Sequence, residues 1–408
     1  MPLDLGETAL QLERATQQMG RHQGDRENRM AALLQVAAQV DSGTARSRTQ
    51  HEQSRGRPFL AAQVETSLLG SHGPTEPPPD WSVLAVDGSH IDVDRHLPVG
   101  CYLINLGGCA LTYGSKPDAK LFSRPHLAWE PDELYLADPQ NPAREEPITG
   151  SVLGMIRTVQ ELERLAEAVE DCPPDLPILA LVDGSLVMWG LSGQGYQSYV
   201  RDAIVEDRLM KALDRFADLV PEKQVTLAAY VSLPRSTEVV NAARACLCPH
   251  PMSLCSDPRN GCGNRRSIQS PCDLAAGFLD RDVFHSILPA GFRSPVYLTN
   301  SSISRQYYSD RQQVHFYYLN VGEEIARVEV PRWVAQDEQL LALGHSLILD
   351  QCRRGQGYPV AISEAHEQAV LDGKDRQIFK DLLARSLEDL GLPSYTSEKE
   401  RSKRTPWL

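Results

Sequence analysis

Two phrases in the chain end in the same tripeptide. WSVLAVDGSH (81–90) and ILALVDGSLV (178–187) each carry Asp-Gly-Ser after a short apolar run, with Asp87 and Asp183 separated by 96 residues. An apolar run of this length reads as a buried strand. In an open α/β sheet, ligands bind at the carboxyl ends of the strands. A carboxylate there is fixed by the sheet, and the glycine after it allows a close approach. Two such carboxylates on neighbouring strands suit a hard divalent cation, Mg2+ or Mn2+, which prefers oxygen ligands. A single Asp-Gly is equally well explained as a turn. The repetition after two similar runs shifts the balance towards chemistry.

A third acid is offered by SVLGMIRTVQELERLAEAVE (151–170), which has the apolar spacing of a helix. Its stripe runs through Val152, Ile156, Val159 and Ala166, and Glu163 falls in line with it, whereas solvated acids lie on the opposite face. Glu161 lies off the stripe, where a surface pair with Arg157 or Arg164 is the simpler reading. Further on, YPVAISEAHEQAVLDGKDRQIF places Ser363 as an N-cap and His366 in the first turn of a helix. A histidine beside acids can ligate metal or handle a proton in phosphodiester hydrolysis. A lone helical histidine is more often structural.

Five of the nine cysteines fall in CLCPHPMSLCSDPRNGCGNRRSIQSPC: Cys246, Cys248, Cys255, Cys262 and Cys272, with His250 among them. Four thiolates can close a zinc site or hold an iron–sulfur cluster. The spacing matches no standard finger, and reduced thiols in a loop explain it equally well. Arg259, Arg265 and Arg266 lie in the same insert, and Lys399, Arg401, Lys403 and Arg404 near the C-terminus. Such cations can grip phosphates; for 396–408 a solvated, disordered tail is the plainer expectation.

These residues need a scaffold. Residues 7–42 read as one or two exposed helices, making 1–70 an N-terminal helical arm, and the Pro-rich SHGPTEPPPD (71–80) reads as a linker. From 81 to 395 strands alternate with helices. Strands are expected at Trp81–Val86, 100–113, Ile178–Val182, Val225–Val231, Val296–Leu298, Val314–Leu319 and Ile325–Val330, and helices at about 151–170, 197–218, 337–352 and 362–388. This alternation predicts a mostly parallel sheet with helices on its faces. With 408 residues, a net charge of −13 and 41% hydrophobic residues, the chain reads as an ordinary globular protein. Its acidity excludes a protein that coats nucleic acid by bulk charge but not a local basic groove. No membrane-length apolar run or secretion signal is evident, so the expected location is the cytoplasm.

The two VDGS strand ends, the acidic helix between them and the terminal YP…EAH segment resemble the NurA nucleases. So do YVSLPRSTEVVNAAR (230–244) and HFYYLNVGEEIARVEVPRWVA (315–335), and the resemblance extends from about residue 80 to 388. It implies an α/β fold with an RNase H-like mixed sheet core flanked by helices. The implied activity is Mn2+- or Mg2+-dependent cleavage of DNA during end processing for double-strand break repair, with a hexameric HerA-type ATPase as partner and a homodimer as the assembly. The family acids fall on Asp87 and Asp183 and the histidine on His366; the helix acid falls on Glu161 or Glu163. A catalytically silent adaptor and an RNase H-like enzyme acting on RNA are the alternatives, because no aromatic-rich RNA platform distinguishes the substrates.

Overall fold

The computed structural model describes residues 4–50, 59–92, 100–193, 195–248 and 271–391. Its strands are β1 (Gln63–Val64), β2 (Trp81–Ile91), β3 (Tyr102–Tyr113), β4 (Asp118–Ala128), β5 (Tyr135–Asp138), β6 (Asn141–Pro147), β7 (Ile178–Asp183), β8 (Val225–Val231), β9 (Tyr297–Leu298), β10 (Val314–Asn320) and β11 (Ile325–Pro331). Nine of them form one sheet in the order β1-β9-β10-β11-β8-β7-β2-β3-β4, and β5 and β6 form a separate ribbon. Only β2 with β7 and β7 with β8 run parallel. The sheet is therefore mixed rather than mostly parallel. The strands that correct the expectation are chiefly β4, whose residues are almost all exposed and carry no apolar run, and the antiparallel pairings around β10 and β11.

Side chains alternate across the central strands, as the period of two requires. Leu84 and Val86 of β2 and Ile178, Ala180 and Val182 of β7 enter one core, covered by the helices Gly150–Glu170 and Met210–Leu219. Trp81, Val83 and Ala85 of β2 and Leu179 and Leu181 of β7 enter the other, covered by Glu338–Arg354 and Val360–Ala369. Asp87 and Asp183 continue the second set, so both carboxylates belong to one face of the sheet.

Gly150–Glu170 packs Val152, Leu153, Ile156, Val159, Leu162, Leu165, Ala166 and Val169 into its core. Each fully buried aliphatic side chain of this kind contributes roughly 1.5–3 kcal/mol. The expected helix at 197–218 is present as Ser198–Arg201 and Met210–Leu219, joined by a π-helical stretch at Asp202–Leu209. The expected single helix at 362–388 is two. Val360–Ala369 ends before Asp372, whose carboxylate accepts from the backbone N–H groups of Lys374 and Asp375 and starts Gly373–Asp389. His366 consequently lies in the last turn of its helix, not the first, and Pro359 rather than Ser363 holds the N-cap position.

The N-terminal segment is less separate than its composition suggests. Helix Leu5–Ala37 is followed by Ser42–Thr49, and then β1 pairs with β9 inside the main sheet. Leu33, Ala37, Ala45, Val64 and Leu68 share a third core with Phe278, Phe284, Tyr297, Phe316 and Tyr318. The Pro-rich stretch is anchored where His72 bridges Arg293. Residues 396–408 and the insert's Arg259, Arg265 and Arg266 lie outside the described residues. No described helix is long and apolar enough to cross a membrane.

Candidate active site

The Asp-Gly-Ser of β2 is not a turn. The strand runs through it, with Asp87 opposite Gly107 and Gly88 opposite Leu106 on β3. Parallel pairing with β7 stops at Ala85, so beyond that point one edge of β2 is open. Asp87 stands beside this opening and Asp183 at the last residue of β7. After Asp183 the chain turns at Gly184, whose φ of +89° lies in the region that favours glycine.

Two glycines decide which side chains reach the acids. A Cβ on Gly107 would lie 2.1 Å from the backbone nitrogen of Ala369. Glycine therefore lets the helix Val360–Ala369 rest directly on β3, which carries His366 to the face bearing Asp87. His366 Nδ1 lies 2.8 Å from Asp87 Oδ2, and the histidine side chain is 58% exposed. Ser89 and Asn105 clamp the end of that helix by donating to the carbonyl of Ala369.

Gly88 faces the opposite side, towards Gly150–Glu170. A Cβ there would lie 2.6 Å from Glu161 Oε1 and 2.9 Å from Arg157 Cγ. Through this gap Glu161 approaches the two aspartates from the other face of the sheet. Glu161 is buried, and its pKa is pushed up to about 8, chiefly by desolvation and further by the negative charges of Asp87 and Asp183, with Arg157 opposing. Arg157 Nη1 donates to the Gly88 carbonyl at 3.0 Å, while its Nε lies 3.1 Å from Glu161 Oε1. That oxygen is buried and receives no aligned hydrogen bond. Burial also raises the pKa of Asp183, with the charge of Asp87 adding to it; the Tyr358 hydroxyl offsets part of this by donating to Asp183 Oδ1 at 3.2 Å.

Glu163 lies elsewhere. Arg208 grips both of its oxygens, with Nε donating to Oε1 at 2.9 Å and Nη2 to Oε2 at 2.5 Å. Its place in line with the stripe is therefore satisfied by an ion pair with the next helical segment, and Glu161, off the stripe by strict periodicity, is the buried acid. The pairing of Glu161 with Arg157 that the i, i+4 spacing allowed is present, but against β2 rather than on an open surface. Tyr358 and Arg157 join the site without having been expected from the sequence. Arg157 reaches Gly88 only through the tertiary fold, across 69 residues of sequence, so no local signal marks it.

The buried network behind Asp183 had no signal in the sequence. Glu329 of β11 accepts from Ser185 Oγ and the Leu186 N–H at 2.8 and 2.9 Å. Its other oxygen pairs with Arg327, which also pairs with Glu238 at 2.8 Å. A buried charge without a partner costs several kcal/mol, so these three residues act as a unit. They hold the loop that begins at Gly184.

Asp87, Asp183 and Glu161 supply the hard oxygens that Mg2+ and Mn2+ take. Their mutual repulsion, and the Glu161 oxygen that receives no aligned hydrogen bond, are what a cation would relieve. Among the described residues no three His, Cys, Asp or Glu side chains are arranged to hold a metal ion as they stand. Arg157 and His366 currently engage two of the three acids. In the cysteine segment, Cys248 is buried and Cys246 and Cys272 are partly buried; Cys255, Cys262 and His250 lie outside the described residues.

A helix-flanked mixed sheet thus carries two acids on neighbouring parallel strands, with a histidine facing one of them. The NurA domain model matches residues 82–371, and the chain belongs to the NurA family. Among solved structures the chain is similar to the NurA nuclease from Sulfolobus solfataricus, at 10% identity over 97% of this chain and 99% of that one, with a TM-score of 0.47. No curated protein matches the chain.

Proposed function

We propose that the protein is a metal-dependent DNA nuclease. The observation that carries this reading is the meeting of Asp87 and Asp183, from adjacent parallel strands, with Glu161, buried and repelled by both. The five-strand portion β4-β3-β2-β7-β8, with Asp87 within β2 just past its last pairing with β7 and Asp183 at the end of β7, supports an RNase H-like core. Asp87, Asp183 and Glu161 would hold Mn2+ or Mg2+. A cation so held supplies Lewis acidity to a phosphodiester and lowers the pKa of water.

The chain's own residues orient and protect. Tyr358 holds Asp183 by hydrogen bonding, and His366 holds Asp87 through Nδ1 while the rest of its ring remains open to solvent. An exposed imidazole in this position can donate to a phosphate oxygen or pass a proton to the leaving oxygen. Arg157 balances Glu161 and ties the helix to β2 through the Gly88 carbonyl. The cysteines 246, 248, 255, 262 and 272 are a candidate zinc or iron–sulfur site. The same reading takes the protein as a homodimer acting in the cytoplasm with a HerA-type ATPase in double-strand break repair, a reading that membership of the NurA family supports.

The test is cleavage of end-labelled single- and double-stranded DNA with Mn2+ or Mg2+, with and without the motor. Asp87→Ala is expected to abolish cleavage with an unchanged melting temperature. Full activity in that variant would overturn the site assignment. Cleavage of RNA in preference to DNA would favour the alternative substrate.

A further inference from the structure

Next to the acids lies a cavity that the reaction as described does not use. It has a volume of about 320 Å3 and opens beyond Asp183, between the ends of β7 and β8 and the middle of β11. That volume is within the range of small-ligand pockets, roughly 300–1,000 Å3. Its wall begins at Gly184 and Ser185, so it is continuous with the carboxylate site.

Trp189 lines it and is 43% exposed. The ring is not loose. Its Nε1–H donates to Ser185 Oγ at 3.1 Å, and that hydroxyl donates to Glu329, which is locked in the buried pair with Arg327. An exposed indole held from behind by a buried network is a preorganised stacking surface.

Arg235 also lines the cavity and is exposed. No carboxylate among the described residues pairs with it, so its charge is uncommitted in a chain of net charge −13. The turn that presents it is strained: Leu233, two residues before it, has φ of +43° and is 60% exposed. Glu324 maintains this turn by accepting from the Ser232 hydroxyl and the Leu233 N–H, at 2.8 and 2.9 Å. Backbone held in a costly conformation by dedicated hydrogen bonds concentrates at ligand sites.

We propose that this cavity is a nucleotide subsite. An unpaired base next to the scissile phosphate stacks on Trp189, and the adjoining phosphate pairs with Arg235. The inference rests on the nuclease reading and deepens it. A base that stacks on protein must leave its partner strand, so the preferred substrate at this position is a single-stranded or frayed end. Because a π-face is common to all bases, the subsite favours unpaired strands without choosing sequence.

The experiment measures binding in EDTA, where no cleavage occurs, by anisotropy of a fluorescein-labelled single-stranded oligonucleotide and of the same oligonucleotide as a blunt duplex. Trp189→Ala should weaken single-strand binding by about 5- to 100-fold, with duplex binding little changed. Trp189→Phe should retain most of the affinity. Arg235→Gln should weaken binding and lower the salt dependence by about one counterion, a slope change of roughly 0.7. Melting curves of each variant exclude unfolding. Single-strand affinity equal to wild type in both Trp189→Ala and Arg235→Gln would overturn the subsite while leaving the nuclease reading intact, provided the wild type cuts DNA. A wild type that neither binds nor cuts DNA would overturn both.

Discussion

Gly107→Ala offers a demanding test of how the site is assembled. The new Cβ would meet Ala369 N at 2.1 Å, Gln368 C at 2.3 Å and Ala369 Cα at 2.6 Å. All three are backbone atoms, so no side chain can swing aside. Ordinary contact begins near 3.4 Å, and the helix Val360–Ala369 must withdraw by about 1.3 Å at its closest point. Overpacking of this kind costs about 1–3 kcal/mol. Unfolding entropy of about 2.1 cal/mol/K per residue gives ~0.9 kcal/mol/K for a chain of this length, so the melting temperature should fall by about 1–3 °C. The functional effect is larger. His366 rides on the displaced helix and its 2.8 Å contact with Asp87 would open. Misplacement of about 1 Å at a reacting centre costs on the order of 100-fold in rate. Calorimetry and a DNA-cleavage time course measure the two effects. The control is Gly154→Ala, in the helix Gly150–Glu170, where a Cβ meets nothing within 4 Å and stability should rise by about 0.4–1 kcal/mol. If Gly107→Ala melts and cuts like wild type, the helix does not rest on β3 as described, and the placement of His366 fails with it.

The two candidate helix acids should separate cleanly. Glu161→Gln should abolish cleavage, while Glu163→Ala, which breaks only the pair with Arg208, should keep activity within about threefold and cost ~1 kcal/mol or less. Activity lost in the second variant and kept in the first would reverse the assignment. Mn2+ should raise the melting temperature of the wild type, by the logarithmic dependence of ligand-linked stability, and the rise should vanish in Glu161→Gln; equal rises in both would place the cation elsewhere. His345 is buried and kept neutral, its pKa lowered to about 4 chiefly by burial, with Nε2 against the Gly291 carbonyl. The unfolded chain takes up a proton near pH 6.5 that the folded chain refuses until about pH 4. Stability should therefore fall as pH drops through that window, by up to about 3 kcal/mol from this group. His345→Gln should flatten that part of the pH profile, and an unchanged profile would count against a buried neutral imidazole. Metal analysis of anaerobically purified protein should show zinc or iron; absence of both removes the cysteine site.

The two aspartates were legible in the sequence because each follows an apolar run that could only be a buried strand. The helices before β7 and after β11 were legible for the same reason of periodicity. What the sequence hid was set by contacts between distant segments. Strand β4 is polar because it is an exposed edge, so it carries no apolar signature. Glu161 faces the acids because Gly88, on a different element, leaves it room. A stripe computed along one helix could not know that and favoured Glu163. Likewise the position of His366 depended on where its helix began and ended, and the Asp372 cap moved that boundary.

The strand β1 has a consequence for dissecting the protein. The family match begins at residue 82, yet the sheet it describes is completed by residues 63 and 64. Tyr297 donates its hydroxyl proton to the Leu68 carbonyl, and Leu33, Ala45 and Val64 seal the aromatic cluster around Phe316. A protein cut back to its matched segment would bare the edge of β9 and a face of aromatic side chains. An uncovered strand edge beside apolar surface is a template for association with further copies. The N-terminal residues thus serve as the sheet's selvedge, and a shortened form that keeps them keeps that edge covered.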